Sequence, residues 1–194
     1  MIYHTNLATL KFVKQERLLS SSISSSTIVK FTKGIAEFHG LYIDEVSINY
    51  KVKFTTDILL PGNMEFCSAP FPVEIGSCEA LVVVEEPLLS DVLGGRAFTS
   101  QPRLKLIDEG GNILSNDSTS IVSVSLYNNP STGKLSPSEN KIATVKNGIA
   151  QFKNLSIDKS GARYQLKYIL HQTYNGKVVK TSIVTIGEFD NAIG

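Results

Sequence analysis

Tryptophan is absent from the 194 residues, cysteine and methionine occur twice each, and neither sign of charge dominates. Each scarcity excludes something. Nineteen basic against eighteen acidic side chains leave a formal net charge of +1, which removes the electrostatic footprint of a nucleic-acid or anionic-membrane binder. The longest uninterrupted apolar run, Ala80 to Val84, is five residues long. A spanning helix needs about 20, so no membrane span is encoded, and no hydrophobic signal segment follows Met1. Without tryptophan, and with few clustered tyrosines, there is no stacking platform for a carbohydrate. Alanine is also scarce, with 9 residues against 46 β-branched ones (18 Ile, 15 Val, 13 Thr), which is the balance of a sheet protein. No twelve-residue segment combines helical apolar spacing with caps at both ends, so helices should be almost absent.

Catalytic chemistry is equally thin. The chain has three histidines, His4, His39 and His171, and no HExxH, GxSxG, GxGxxG or P-loop spacing. His39 falls where a repeated segment has Lys153, which reads as a solvent-facing position, and a structural role is expected for all three. Asp108-Glu109-Gly110-Gly111-Asn112 could offer oxygen ligands to calcium, but a turn is the simpler account. The expectation is no catalytic residue, no metal ligand and no cofactor. Cys67 and Cys78 lie eleven apart in a segment read as extended; at about 3.3 Å per residue their Cα atoms stand over 30 Å apart, too far for a disulfide. The sequons at Asn116 and Asn154 match chance frequency and carry almost no weight.

The strongest signal is internal repetition. Gly34-Ile35-Ala36-Glu37-Phe38-His39-Gly40-Leu41-Tyr42-Ile43-Asp44 recurs from Gly148 to Asp158 at an offset of 114 residues, with seven of eleven positions identical. The offset continues without a gap from Leu7 on Ile121 to Phe54 on Tyr168. After a short slip near Pro61, Val73-Glu74-Ile75-Gly76 is aligned with Val184-Thr185-Ile186-Gly187. Two units follow, 1–78 and 79–194. Only 33 residues precede Gly34, whereas 68 run from Ala80 to Asn147, so the first unit is expected to lack its opening strands and to expose an unpaired edge and part of its core. The chain is accordingly read as a fragment of a longer repeat array.

Within the second unit, alternation and turn residues predict strands at about 81–86, 102–108, 119–126, 141–146, 149–157, 163–171 and 177–187. Seven short strands in one unit suggest a sandwich. Asn147-Gly148 and Asn175-Gly176 are hairpin-type turns, predicted to pair 141–146 with 149–157 and 163–171 with 177–187. Six serines in the seven positions Ser20 to Ser26 read as a solvated loop aligned with Lys134 to Asn140.

Gly94-Gly95-Arg96-Ala97-Phe98-Thr99-Ser100-Gln101-Pro102, then Leu104, Leu106, Asp108, Gly111-Asn112 and Gly148 to Phe152, resemble the tandem immunoglobulin-like repeats of large cell-surface proteins, of invasin/intimin or filamin type. Asp158 to Tyr164 is similar to the loop before strand F of such folds, where a tyrosine hydroxyl ties the loop backbone. The first unit keeps Asp44 and Tyr50 but has Ser47 in place of the glycine. The resemblance implies an all-β fold of tandem immunoglobulin-like β-sandwiches, the first partial at its N-terminus. It also implies a non-enzymatic structural and adhesion module of a larger extracellular or membrane-anchored protein, with neighbouring repeats and a protein bound through loops or edge strands as partners. The filamin-like alternative is an intracellular, cytoplasmic scaffold that accepts peptides by β-augmentation.

Overall fold

Alternating apolar and polar residues rich in valine, isoleucine and aromatics bury one face of an extended chain, and antiparallel pairing then satisfies its backbone groups. The computed structural model describes residues 7–14, 17–18, 28–57, 65–87, 93–174, 177–185 and 189–191. They are almost wholly strand and loop, and no helix among them is long and apolar enough to cross a membrane. The chain divides into two compact units, residues 1–75 with 110–112 and residues 76–109 with 113–194.

The first unit contributes β1 (Leu7–Lys14), β2 (Arg17–Leu18), β3 (Ile28–Lys30), β4 (Ser47–Thr56), β5 (Glu65–Cys67) and β6 (Phe71–Val73). They form one antiparallel sheet in the order β2-β1-β4-β5, with β3 also on β1 and β6 also on β4. Ser68 separates β5 from β6 by holding Val52 of β4 twice, its N donating to Val52 O (2.8 Å) and its Oγ accepting from Val52 N (2.9 Å). Pro70, which has no N–H to give a ladder, follows two residues later.

The second unit contains β7 (Ala80–Glu85), β8 (Arg103–Ile107), β9 (Ile121–Asn128), β10 (Leu135–Ser136), β11 (Ile142–Thr144), β12 (Ile149–Gln151), β13 (Ser156–Ile157), β14 (Gly161–Tyr174), β15 (Lys177–Thr185) and β16 (Phe189–Asn191). A 3-10 turn, Ser138–Lys141, precedes β11. One sheet runs β11-β9-β14-β15 with β16 also on β14; a second runs β12-β8-β7; β10 and β13 make a short pair. The core draws on both larger sheets. Tyr164, Leu166, Tyr168 and Leu170 of β14 are all fully buried, as are Leu104 and Leu106 of β8. Phe152 lies 5.7 Å from Tyr168, ring to ring. The period of two read along β14 is therefore the real division of its faces.

Strand registers in the two units coincide. Leu10↔Phe54 and Ala8↔Thr56 in β1/β4 correspond to Val124↔Tyr168 and Val122↔Leu170 in β9/β14, every position shifted by 114. The ring pair Phe38–Phe54 (6.0 Å) likewise corresponds to Phe152–Tyr168.

Three expectations need correction. Asn147 and Gly148 do adopt the positive φ of a primed turn (49° and 76°), closed by mutual bonds between Lys146 and Ile149 at 2.8 and 3.0 Å. The strands on either side nevertheless separate, β11 joining β9 and β12 joining β8. Ala143 and Val145 before the turn, and Ala150 and Phe152 after it, are all buried, and joining different sheets buries both sets. Second, 149–157 is two strands, because Asn154 takes a left-handed φ of 54° between β12 and β13. Third, the tail alignment shifts. Lys53 faces Cys67 as Lys167 faces Thr185, and Tyr50 faces Phe71 as Tyr164 faces Phe189, so Phe66 rather than Val73 occupies the place of Val184. The 163–171 with 177–187 pairing is present as β14 with β15, while its turn, 175–176, lies outside the described residues.

Candidate functional site

Among the described residues no three of His, Cys, Asp and Glu stand close enough to hold a metal ion. His39 is exposed, 3.6 Å from Glu37, and His171 Nε2 lies 3.2 Å from Ser123 Oγ on the neighbouring strand; His4 lies outside the described residues. Cys67 is exposed on β5 and Cys78 is buried just ahead of β7, and the two are not joined by a disulfide. Asp108 is buried and its carboxylate accepts from Gly76 N at 2.9 Å, so it works as a fastener of the chain entering the second unit. Asn116 and Asn154 are both exposed.

Asp117 and Tyr168 carry shifted protonation. Partial burial pushes the Asp117 carboxyl up, but Ser120 Oγ (2.6 Å), Ser120 N (3.0 Å) and Thr119 N (3.0 Å) donate to it and hold it below the ordinary carboxylate value. Burial, and secondarily the charge of Glu86, push the Tyr168 phenol far up, and its buried hydroxyl has no hydrogen-bond partner among the described residues.

The most organised surface lies at one end of the second unit, where the loop 128–138 meets the loop 158–163. Asn129 closes the first loop on itself: its Oδ1 accepts from Gly133 N (2.8 Å) and its Nδ2 donates to Gly133 O (2.9 Å). Lys134 N donates to Asp158 Oδ1 (2.6 Å), and Lys159 Nζ to Thr132 Oγ1 (3.2 Å). Beneath both loops Tyr164 Oη donates to Lys159 O at 3.0 Å, the tie foreseen for this loop, and Tyr50 Oη makes the same bond to Glu45 O at 2.9 Å in the first unit. Gly133 is seated so tightly that a Cβ would stand 2.8 Å from both Ile157 Cγ2 and Tyr164 Oη. Asn129, Pro130, Thr132, Lys134, Lys159 and Arg163 face solvent on this platform. Pre-organised loops with polar, exposed tips suit recognition of another macromolecule.

Two concavities went unnoticed in the sequence. One, of about 320 Å³, opens where β11 and β12 diverge after the Asn147-Gly148 turn and is lined by Ile142, Lys146, Ile149, Gln151 and Lys153 among others. It exists because the two strands part, which sequence reading had them not do. The other, of about 500 Å³, lies on the apolar face of the first unit and is lined largely by phenylalanine.

No protein-family model matches the chain, and no curated protein matches it. Among solved structures, β-glucuronidase 3 of Bacteroides uniformis aligns over 95% of this chain and 21% of its own at 12% identity and a TM-score of 0.37. A β-glucuronidase of Parabacteroides merdae aligns over 94% and 21% at 10% identity and a TM-score of 0.36. The chain spans about a fifth of the length of these enzymes, and at such TM-scores the likeness carries no argument.

Proposed function

We propose that the chain is a non-enzymatic structural and adhesion module made of two immunoglobulin-like repeats, a partial β-sandwich over 1–78 and a complete one over 79–194, within a larger extracellular or membrane-anchored repeat protein. The observation that carries this reading is the residue-by-residue coincidence of register and of the tyrosine-to-backbone bonds across the 114-residue offset, since a duplicated unit multiplies a surface rather than a reaction. Positions shared by the units are core and turn residues, whereas Asn129 to Asn140 differs freely from Gln15 to Ser26. The platform of loops 128–138 and 158–163 is therefore the recognition surface of the second unit.

The test is adhesion of cells to the immobilised full chain, compared with a variant in which Pro130, Thr132 and Lys134 are all alanine. None of the three is buried, so the fold should persist while adhesion falls at least tenfold; equal adhesion by both proteins would sink the assignment. The absence of a disulfide between Cys67 and Cys78 favours one rival, an intracellular filamin-like scaffold that adds a peptide to an edge strand, because secreted cysteines usually pair. Binding that survives the triple alanine change but is lost when proline is placed in 178–186 would select that rival.

A further inference from the structure

The cleft of about 320 Å³ between β11 and β12 is a hairpin that opens after its first rung. Lys146 and Ile149 exchange both backbone bonds across the Asn147-Gly148 turn, so a continued hairpin would next bond Thr144 to Gln151. It does not continue. Val145 N donates to Ser120 O (2.8 Å) and Ala143 pairs with Val122, so these two residues spend their backbone groups on the β9 side. Gly148 O accepts from Leu106 N (2.9 Å) and Phe152 N donates to Pro102 O (3.0 Å), with Ala150 opposite Leu104 between them, so these three face β8. By alternation, the N–H and C=O groups of Ile142 and Thr144 on β11 and of Gln151 on β12 point from open sheet edges into the gap. The walls of the cleft, β11 with β9 and β12 with β8, are complete within the second unit.

Side chains give the gap a floor and a rim. Ala143 and Phe152, 6% and 1% exposed, form an apolar floor, while Lys146 and Lys153 stand exposed at the rim. Among the described residues no carboxylate lines the cleft. The basic rim is particular to the second unit: 114 positions earlier the apolar Ile142 and Phe152 recur as Ile28 and Phe38, but Lys146 and Lys153 are matched by Thr32 and His39.

We propose that an extended acidic segment of a partner polypeptide, with apolar residues at alternate positions, adds as a strand to the open edge of β11 in this cleft. Within its strand β11 offers two outward rungs, Ile142 and Thr144, against one on β12. Side chains of an added strand point by turns to the floor, which is apolar, and to the rim, where two lysines call for carboxylates. A second copy of this edge would set lysine against lysine. The site shares no residue with the loop platform and goes beyond the adhesion reading.

The probe is a capped peptide of about seven alternating valine and glutamate residues, added to the full chain. Calorimetry should show one peptide bound per chain, binding should weaken as salt is raised, and exchange of the Thr144 amide should slow at least tenfold. Two control peptides should each bind at least tenfold more weakly, one with lysine in place of glutamate and one N-methylated along its backbone. Lys146→Glu combined with Lys153→Glu should weaken binding at least tenfold, while Lys51→Glu, an exposed position of the first unit, leaves it unchanged. Absence of binding, equal binding of either control peptide, or indifference to the double lysine reversal would overturn the proposal. So would slowed exchange in β15 in place of Thr144, which would put the strand on the edge the scaffold rival requires. Protection of Thr144 before any peptide is added would show the cleft filled from within the chain or by a second copy, and would overturn it as well.

Discussion

Single atoms decide how far the two tyrosines of β14 differ. Tyr164 and Tyr168 are both fully buried, but only the first has its hydroxyl bonded, to Lys159 O. Tyr164→Phe should therefore cost the second unit about 1 kcal/mol, whereas Tyr168→Phe should cost nothing or stabilise it, because it deletes a buried polar atom whose bonds to water were lost on folding. Chemical denaturation of the two variants checks this, and equal losses would contradict it. Asp117 is the residue-scale source of acid sensitivity. Its folded pKa lies below the ordinary 3.8, so the unfolded chain takes up its proton first as pH falls. Its contribution is fully present above the unfolded value and is lost as pH drops through the folded one. Asp117→Asn should remove about 1 kcal/mol at neutral pH, and the stability difference from the parent should shrink on acidification below pH 4. A difference that stays constant from pH 7 to pH 2 would show that charge plays no part.

Elements owe their course to turns as much as to alternation. Lys33-Gly34 and Asn147-Gly148 are the same primed turn at the 114-residue offset, each with two consecutive positive φ values and each closed by a pair of backbone bonds. Their surroundings differ. A Cβ at Gly148 would stand 2.7 Å from Leu114 O, while one at Gly34 would meet nothing within 4 Å. Gly34→Ala should thus cost only the left-handed strain, about 1–2 kcal/mol, and Gly148→Ala clearly more, since backbone must move as well. Thermal unfolding of both variants gives the comparison. The strand faces of β14 are tested by Leu166→Ala, expected to cost about 2–5 kcal/mol, against Lys167→Ala, expected within about 0.5.

At the scale of the whole molecule, the cores are unequal. Of the buried apolar residues described, only Ala8 and Tyr50 belong to the first unit, and the rest, from Cys78 to Leu170, belong to the second. Residues 76–194 expressed alone should unfold cooperatively, while residues 1–75 alone should show no cooperative transition, since a single sheet with one open face buries too little to offset its ordering entropy. Scanning calorimetry of the two fragments checks this; a sharp transition from 1–75 would contradict it.

The sequence by itself was enough for the all-β class, the 114-residue offset, the faces of β14 and the primed turn at Asn147-Gly148, because each of these depends on local periodicity or on the φ preferences of one or two residues. The tyrosine tie was legible only through the family resemblance, and it is made in the first unit even though Ser47 replaces the glycine there. Which sheet each strand joins was decided by tertiary structure. Asn147-Gly148 reverses the chain whether or not its flanks pair, and only the need to bury Ala143 and Val145 together with Ala150 and Phe152 sends β11 to β9 and β12 to β8. The tail register was decided the same way: Val73 and Val184 look alike in sequence, yet Ser68 breaks the strand and places Phe66 opposite Phe54. Both concavities follow from those pairings, which depend on partners far along the chain and so leave no local mark for a sequence reader to find.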